Sequence, residues 1–326
     1  MNKRLSRLTL QNALFIVVLH VLLPAIIAIM YIQLGQRETL LKTFENSFVQ
    51  VARFVSNSSE EEFRKAKHIL SLFSQLQEVR YADKTQCTHI AQKIIASNEN
   101  KSYTNIGAAN KEGDTFCSAM PMKNPLNLSE QDGFKHVRES KKFYVGNYRI
   151  STITDKAIIV ASHPVLDESG NFNGITFAAI DVAYLQNLVK QIALPFDYTI
   201  IITDKNGTVL ARKPNPEKWV GKNIKATRLG NALFSTTKDG GIFRALGLDG
   251  DKMTYAYARM QQPIGGTSIY SVIGIPEDRL SEVSNENLIR NAVFVILILI
   301  MSITIAIIDW KFILSKKAEE LGGESS

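Results

Sequence analysis

The sequence predicts an α+β protein in which a long helix and two tandem antiparallel-sheet modules sit between two membrane-spanning helices. Three observations predict this: an almost purely apolar run near each end, an apolar stripe at helical spacing after the first run, and a strand pattern that occurs twice in the polar middle. Composition agrees, with 45% hydrophobic and 21% charged residues, 19 Gly and 9 Pro among 326 residues. Those proportions exclude disordered, collagen-like and disulfide-scaffold chains.

The apolar runs cover 13–34, broken by His20, Pro24 and Gln33, and 292–308, whose polar members are Ser302 and Thr304. At about 1.5 Å per residue, roughly 17 to 25 such residues cross the hydrocarbon core as a helix. The alternative for the first run is a cleavable signal peptide, since Lys3, Arg4 and Arg7 give it a basic front; against that, the run is long and no small-x-small cleavage site follows it. Lys3, Arg4 and Arg7 precede the first span, and Lys311, Lys316 and Lys317 follow the second. Cytoplasmic flanks collect Lys and Arg, so both ends are expected inside and residues 35–291 outside. His20 would be titratable within the membrane, and such groups are functional candidates or face a neighbouring helix.

Cys87 and Cys117 both fall in the outside segment. An oxidising compartment permits a structural disulfide there, worth on the order of 3 to 4 kcal/mol for a loop of some 30 residues, and a redox switch is the sharper alternative. The net charge of +7 comes without a dense basic run interleaved with aromatics, so nucleic acid is not an expected partner.

After the first span, Phe44, Phe48, Val51 and Val55, then Ala66, Ile69, Phe73 and Leu76 beyond a Ser-rich break, recur in steps of three and four. This is the seam of a helix packed on a partner, either its own domain or a second copy in a dimeric stalk. Beyond Cys87 the pattern turns to short strands. Residues 105–109 lead through Lys111-Glu112-Gly113 to Thr115-Phe116-Cys117, and residues 198–203 lead through Asp204-Lys205-Asn206-Gly207 to residues 208–211, with Asn-Gly expected to make a tight hairpin. Residues 156–164 and 174–180, ending in a helical 184–189, have their counterpart in residues 252–258 and 268–275, ending in a helical 278–283.

In this order the segments resemble the double Cache family of extracytoplasmic sensors, whose members carry a long N-terminal helix and two PAS-like domains. Cys87 with the 116–121 segment, Tyr144-Val145-Gly146-Asn147-Tyr148, His163-Pro164-Val165-Leu166-Asp167 and Phe177-Ala178-Ala179-Ile180-Asp181 are similar to the Cache regions of bacterial diguanylate cyclases and hybrid sensor kinases. So are Asp204–Arg212, Pro216–Gly221 and Val272–Pro276. Asp132-Gly133-Phe134-Lys135 departs from a D-R-x-Y-F-R pattern by losing the arginine, and the R-x-W-Y cluster of amino-acid-binding members is absent, so the sequence does not point to an amino acid as the ligand.

The resemblance implies a cytoplasmic N-terminus (1–12), a first span (13–34), a stalk helix (35–82), a membrane-distal Cache domain (83–193), a membrane-proximal one (194–284), a connector (285–291), a second span (292–308) and the start of a HAMP-like or connector helix (309–326). It places the chain in a bacterial inner membrane as a homodimeric receptor for a small extracytoplasmic molecule. Asp132, Phe134, Arg138, Phe143, Tyr148, His163 and Asp181 are expected near the distal pocket, with Arg138 pairing an anionic ligand group and Asp181 a cationic or hydroxyl one. Any cyclase or kinase output would follow Leu321 in a longer parent.

The competing reading is a redox-sensing or protein-binding periplasmic module. The chain itself shows no catalytic, metal or cofactor constellation. Gly247–Lys252 lacks the spacing of a phosphate loop and reads as a hairpin turn, no His pair has i, i+4 spacing, and no G-x-S-x-G turn is present.

Overall fold

The computed structural model describes residues 42, 46–97, 102–122, 124–194, 197–260 and 262–279, with scattered positions between 293 and 308. Residues 45–277 form one compact unit. The expected first span, 13–34, lies outside the described residues, as does most of the second; the positions described there, from Val293 to Ile308, are helical with exposed side chains, apolar except for Thr304. Among the described residues no helix is long and apolar enough to cross a membrane.

Helix α1 (46–73) is continuous. At 1.5 Å per residue its 28 residues span about 42 Å. Phe48, Ala52, Val55, Ser59, Phe63, Ala66, Leu70 and Phe73 are buried, so the stripe keeps its three-and-four spacing through the serines. The expected Ser-rich break does not occur. Ser59 instead returns its hydroxyl to the carbonyl of Val55 at 2.9 Å, satisfying itself within the helix. The stripe also runs along residues the sequence pattern passed over: Ala52, Phe63 and Leu70 are buried, while Val51, Ile69 and Leu76 are half-exposed.

Helix α2 (Gln77–Arg80) and helix α3 (Lys84–Ala96) follow. Asp83 caps α3 by accepting from the amides of Thr85 and Gln86, both at 3.1 Å. The first sheet contains β1 (Tyr103–Asn110), β2 (Thr115–Ser118), β3 (Tyr144–Ile150), β4 (Ala157–Leu166) and β5 (Phe172–Asp181) in the order β2-β1-β5-β4-β3, with α4 (Asp132–Ser140) between β2 and β3. Helix α5 (Val182–Gln191) leads to the second sheet: β6 (Thr199–Asp204), β7 (Val209–Lys213), β8 (Gly240–Leu246), β9 (Lys252–Arg259) and β10 (Ile269–Pro276), ordered β7-β6-β10-β9-β8. Short helices α6 (Pro216–Trp219) and α7 (Arg228–Phe234) precede β8.

The two orders are the same plan, and all pairings are antiparallel. Both sheets rest one face on α1. Thr176 on β5 donates to the carbonyl of Leu70 at 3.1 Å, and Ser271 on β10 donates to that of Ala52. The turns repeat as well. Asn110, Asp167 and Asp204 each accept two backbone amides on one side-chain oxygen, and Gly113, Gly170 and Gly207 supply the positive φ three residues later. Gly207 alone carries the positive φ of its turn, so an Asx-type turn replaces the expected two-residue Asn-Gly hairpin. Between Gly247 and Lys252 the hairpin turn forms as expected, the Gly247 amide bonding the Asp251 carbonyl at 2.8 Å.

Cys87 on α3 and Cys117 on β2 form a disulfide. Both are fully buried, so the bridge staples the helix to an edge strand where thiols have no access.

Candidate functional site

On the face of the first sheet turned away from α1, a cavity of about 220 Å³ opens under α4. Its floor follows from strand alternation. Ile158, Val160 and Ser162 on β4 and Ile175, Phe177 and Ala179 on β5 point into it, while the intervening Thr176 reaches α1. Small residues keep the space open: a Cβ on Gly146 would come within 3.3 Å of the Val160 carbonyl, and one on Gly133 within 3.2 Å of the Ser162 hydroxyl.

Polar groups reach the cavity from three directions. Asn105 on β1 is buried and fixed: its amide donates to Ser118 Oγ at 2.9 Å, and its carbonyl oxygen accepts the Met120 amide at 3.1 Å. Arg149 on β3 donates to Gln131 Oε1 at the head of α4. Burial lowers its pKa from the ordinary value, yet a guanidinium remains charged. Asp132 opens α4 on the far side, and its charge, after burial, helps raise the pKa of Tyr144. Gln131 precedes α4 without a side-chain capping bond, its amide oxygen being engaged by Arg149 instead.

Of the residues expected from the sequence, Asp132, Phe134 and Tyr148 line this cavity. Phe134 is buried and meets Phe172 edge-on at 5.5 Å between centroids. Arg138 lies exposed on α4 with its guanidinium 6.0 Å from the Phe134 ring. Asp181 caps α5, accepting the Ala183 amide at 2.9 Å, and pairs with Lys156 at 3.5 Å. Phe143 and His163, their rings 6.5 Å apart, line a different cleft beside α1. His163 neighbours Ser162 in sequence, and one step along a strand changes the face. Asn105, Gln131, Arg149 and Ser162 were not singled out by the sequence; period-two alternation along 156–164 is the signal that points to Ser162 over His163.

The cavity wall is also a junction. Val145 on β3 donates its amide to the Gly265 carbonyl at 3.0 Å, Asn206 donates to Asn147 at 2.8 Å, and a Cβ on Gly221 would lie 2.7 Å from the Tyr148 hydroxyl. Strand β3 therefore touches the cavity on one side and the loops of the second module on the other.

Comparison with known proteins places this architecture. Residues 36–284 match the family model of the Cache domain in its double form. Sporulation kinase D of Bacillus subtilis is 30% identical over 101 residues, covering 31% of this chain, and the match spans about a fifth of that kinase's length. The ligand-binding domain of Mlp24, solved with asparagine, superposes with a TM-score of 0.56 at 19% identity, over 77% of this chain and 98% of that one. The ligand-binding domain of the Pseudomonas fluorescens chemoreceptor CtaA, solved with L-isoleucine, gives 0.58 at 11% identity, over 76% and 98%. At such identities the two structures share the fold. With two sheets of one strand order on a common helix, and a family match over most of its length, the chain belongs to the Cache domain family of sensor regions.

Proposed function

We propose that the first module binds a small molecule bearing both an anionic and a cationic group, of amino-acid size, and that the chain relays its arrival across a bacterial inner membrane. The observation that carries this reading is the cavity under α4, which presents a guanidinium (Arg149), a carboxylate (Asp132) and the carboxamide of Asn105 above an apolar floor. A few fixed polar groups among apolar walls is the make-up of a metabolite site, and about 220 Å³ lies below the roughly 300–1,000 Å³ of drug-sized pockets. The amino acids held by the Mlp24 and CtaA domains support the ligand class.

The charge at both flanks and the two apolar runs support residues 35–291 as extracytoplasmic, with one span on either side. Exposed Phe54 and Leu72 on α1 support a homodimer along the stalk. The similarity to a sporulation kinase supports a kinase output in a longer parent chain. A ligand that closes the cavity moves β3, and displacements of about 1–2 Å suffice to shift packed elements when the ligand prefers one state.

A thermal-shift screen of the detergent-purified full chain against the amino acids and related small zwitterions tests the reading. Saturable stabilisation by at least one member, lost in Arg149→Ala, is the expected result. A complete library without a shift would remove the ligand from the first module.

A further inference from the structure

A second cleft lies beside α1, on the side of the first sheet away from the cavity. Three stretches distant in sequence meet there: Arg64, Lys67 and His68 from the middle of α1, Lys141 and Lys142 from the α4–β3 loop, and Gln262 to Gly265 from the loop after β9. His163 completes the wall from β4, half-buried, its Nδ1–H directed to the Pro164 carbonyl at 2.9 Å. No carboxylate lines the cleft among the described residues. Glu60 neutralises Arg64 from one turn away, and Lys141 donates to the Gly170 carbonyl at 2.9 Å. Lys67 and Lys142 have no carboxylate within ion-pair distance among the described residues.

Surface lysines are ordinarily solvated singly, but here like charges from separate segments are gathered around one concavity, and such gathering repels until an anion fills it. The geometry points to a binding site for a compact anion of three or four charges, the class of pyrophosphate and citrate, at the junction of α1 with both modules. Its donors are chemically distinct from those of the cavity under α4. Arg64 also donates to Gln262 at 3.3 Å, a direct contact between the helix and the second module's loop. An anion held between Lys67, Lys142 and this loop fastens the same three segments together, by charge-assisted hydrogen bonds.

Titrating the detergent-purified full chain with sodium pyrophosphate and, separately, sodium citrate, against sodium chloride at equal ionic strength, tests the site. Saturable binding to either anion is expected, weakened at least about tenfold in the Lys67→Ala/Lys142→Ala double variant, since each removed contact is a charged hydrogen bond. Both side chains are exposed, so the fold is expected to survive; Lys67→Gln and Lys142→Gln, taken singly, give the same reading should the double variant fail to fold. Lys190→Ala removes an exposed charge on α5 and is expected to bind as the parent does. A response that follows ionic strength alone, or binding that survives in the lysine variants within about twofold, overturns the proposal.

Discussion

The two modules can be laid over one another by their hydrogen-bond registers. Thr176 and Ser271 both bond to α1, and opposite them stand His163 and Ala258. Counting from there, Val160 corresponds to Tyr255 and Ser162 to Tyr257, and beside them Gly146 corresponds to Phe243. The second sheet thus fills with three aromatic rings, Phe243 lying 5.4 Å from Tyr255 and 5.7 Å from Tyr257, the volume that the first leaves empty. Gly274 completes the packing, since a Cβ there would meet the Tyr255 ring at 2.3 Å. Burial of this kind drives the Tyr255 hydroxyl well above its ordinary pKa. One plan therefore leaves a cavity in the first module and fills the corresponding volume of the second, with three side chains on two strands occupying that space.

The largest effect is expected where the solid module is hollowed. Tyr255→Ala should cost about 3–5 kcal/mol, the usual loss for a buried aromatic, read from the urea midpoint of the full chain. A loss under about 1 kcal/mol would mean that the rings do not support the second sheet. Next comes the reverse operation, Val160→Tyr, which places the second module's ring in the first module's cavity. Ligand affinity should fall about 100-fold, equivalent to about 2.7 kcal/mol, with the melting temperature near that of the parent. Retained affinity would separate the ligand from this cavity.

A smaller pair of substitutions tests whether α1 supports the modules equally. Thr176→Val and Ser271→Ala each remove one hydroxyl from a helix carbonyl, and each should cost about 0.5–1.5 kcal/mol. Unequal losses would show that the helix is anchored chiefly to one sheet.

The smallest effect concerns pH. Burial, then repulsion from Lys67, lowers the pKa of His163 below its ordinary 6.5, against the opposing pull of the Pro164 carbonyl. Because the unfolded chain takes up this proton first, stability should fall as pH drops through 6.5 toward the lower folded value. Facing it are Arg64, Lys67 and His68 on α1 and Lys141 and Lys142 on the neighbouring loop, and among the described residues no carboxylate lines the cleft to offset the loss. His163→Gln should flatten this acid limb in paired urea titrations at pH 7.5 and 5; an unchanged limb would assign it to other groups.

Much of the fold was legible because its signals are local. Runs such as Ala157–Leu166 and Ile269–Pro276 are β-rich, and Asn110, Asp167 and Asp204 with their glycines mark the turns. The stripe on α1 was legible in period but not in phase, since Ser56 and Ser59 are polar by type yet buried within the helix seam. Less of the site was legible. Phe134 and Tyr148 lie near a strand or helix pattern that announces them, whereas Asn105 and Arg149, on strands separated by two others, come to line one cavity only through strand order, a non-local property. Asp181 is expected at the ligand from its place at a strand end; there it caps α5 and lies outside the lining of the cavity under α4, and a carboxylate at a strand end suits a binding role and a helix cap equally well.

Strand β3 holds the Tyr148 side of the cavity and is tied by Val145 and Asn147 to the loops of the second module. A substitution on this strand that reshapes the cavity therefore also bears on the contacts between the two modules. The other strands of the sheet differ in where a change would be felt: β5 meets the seam with α1 through Thr176, and β4 meets the cleft that His163 shares with residues 262–265.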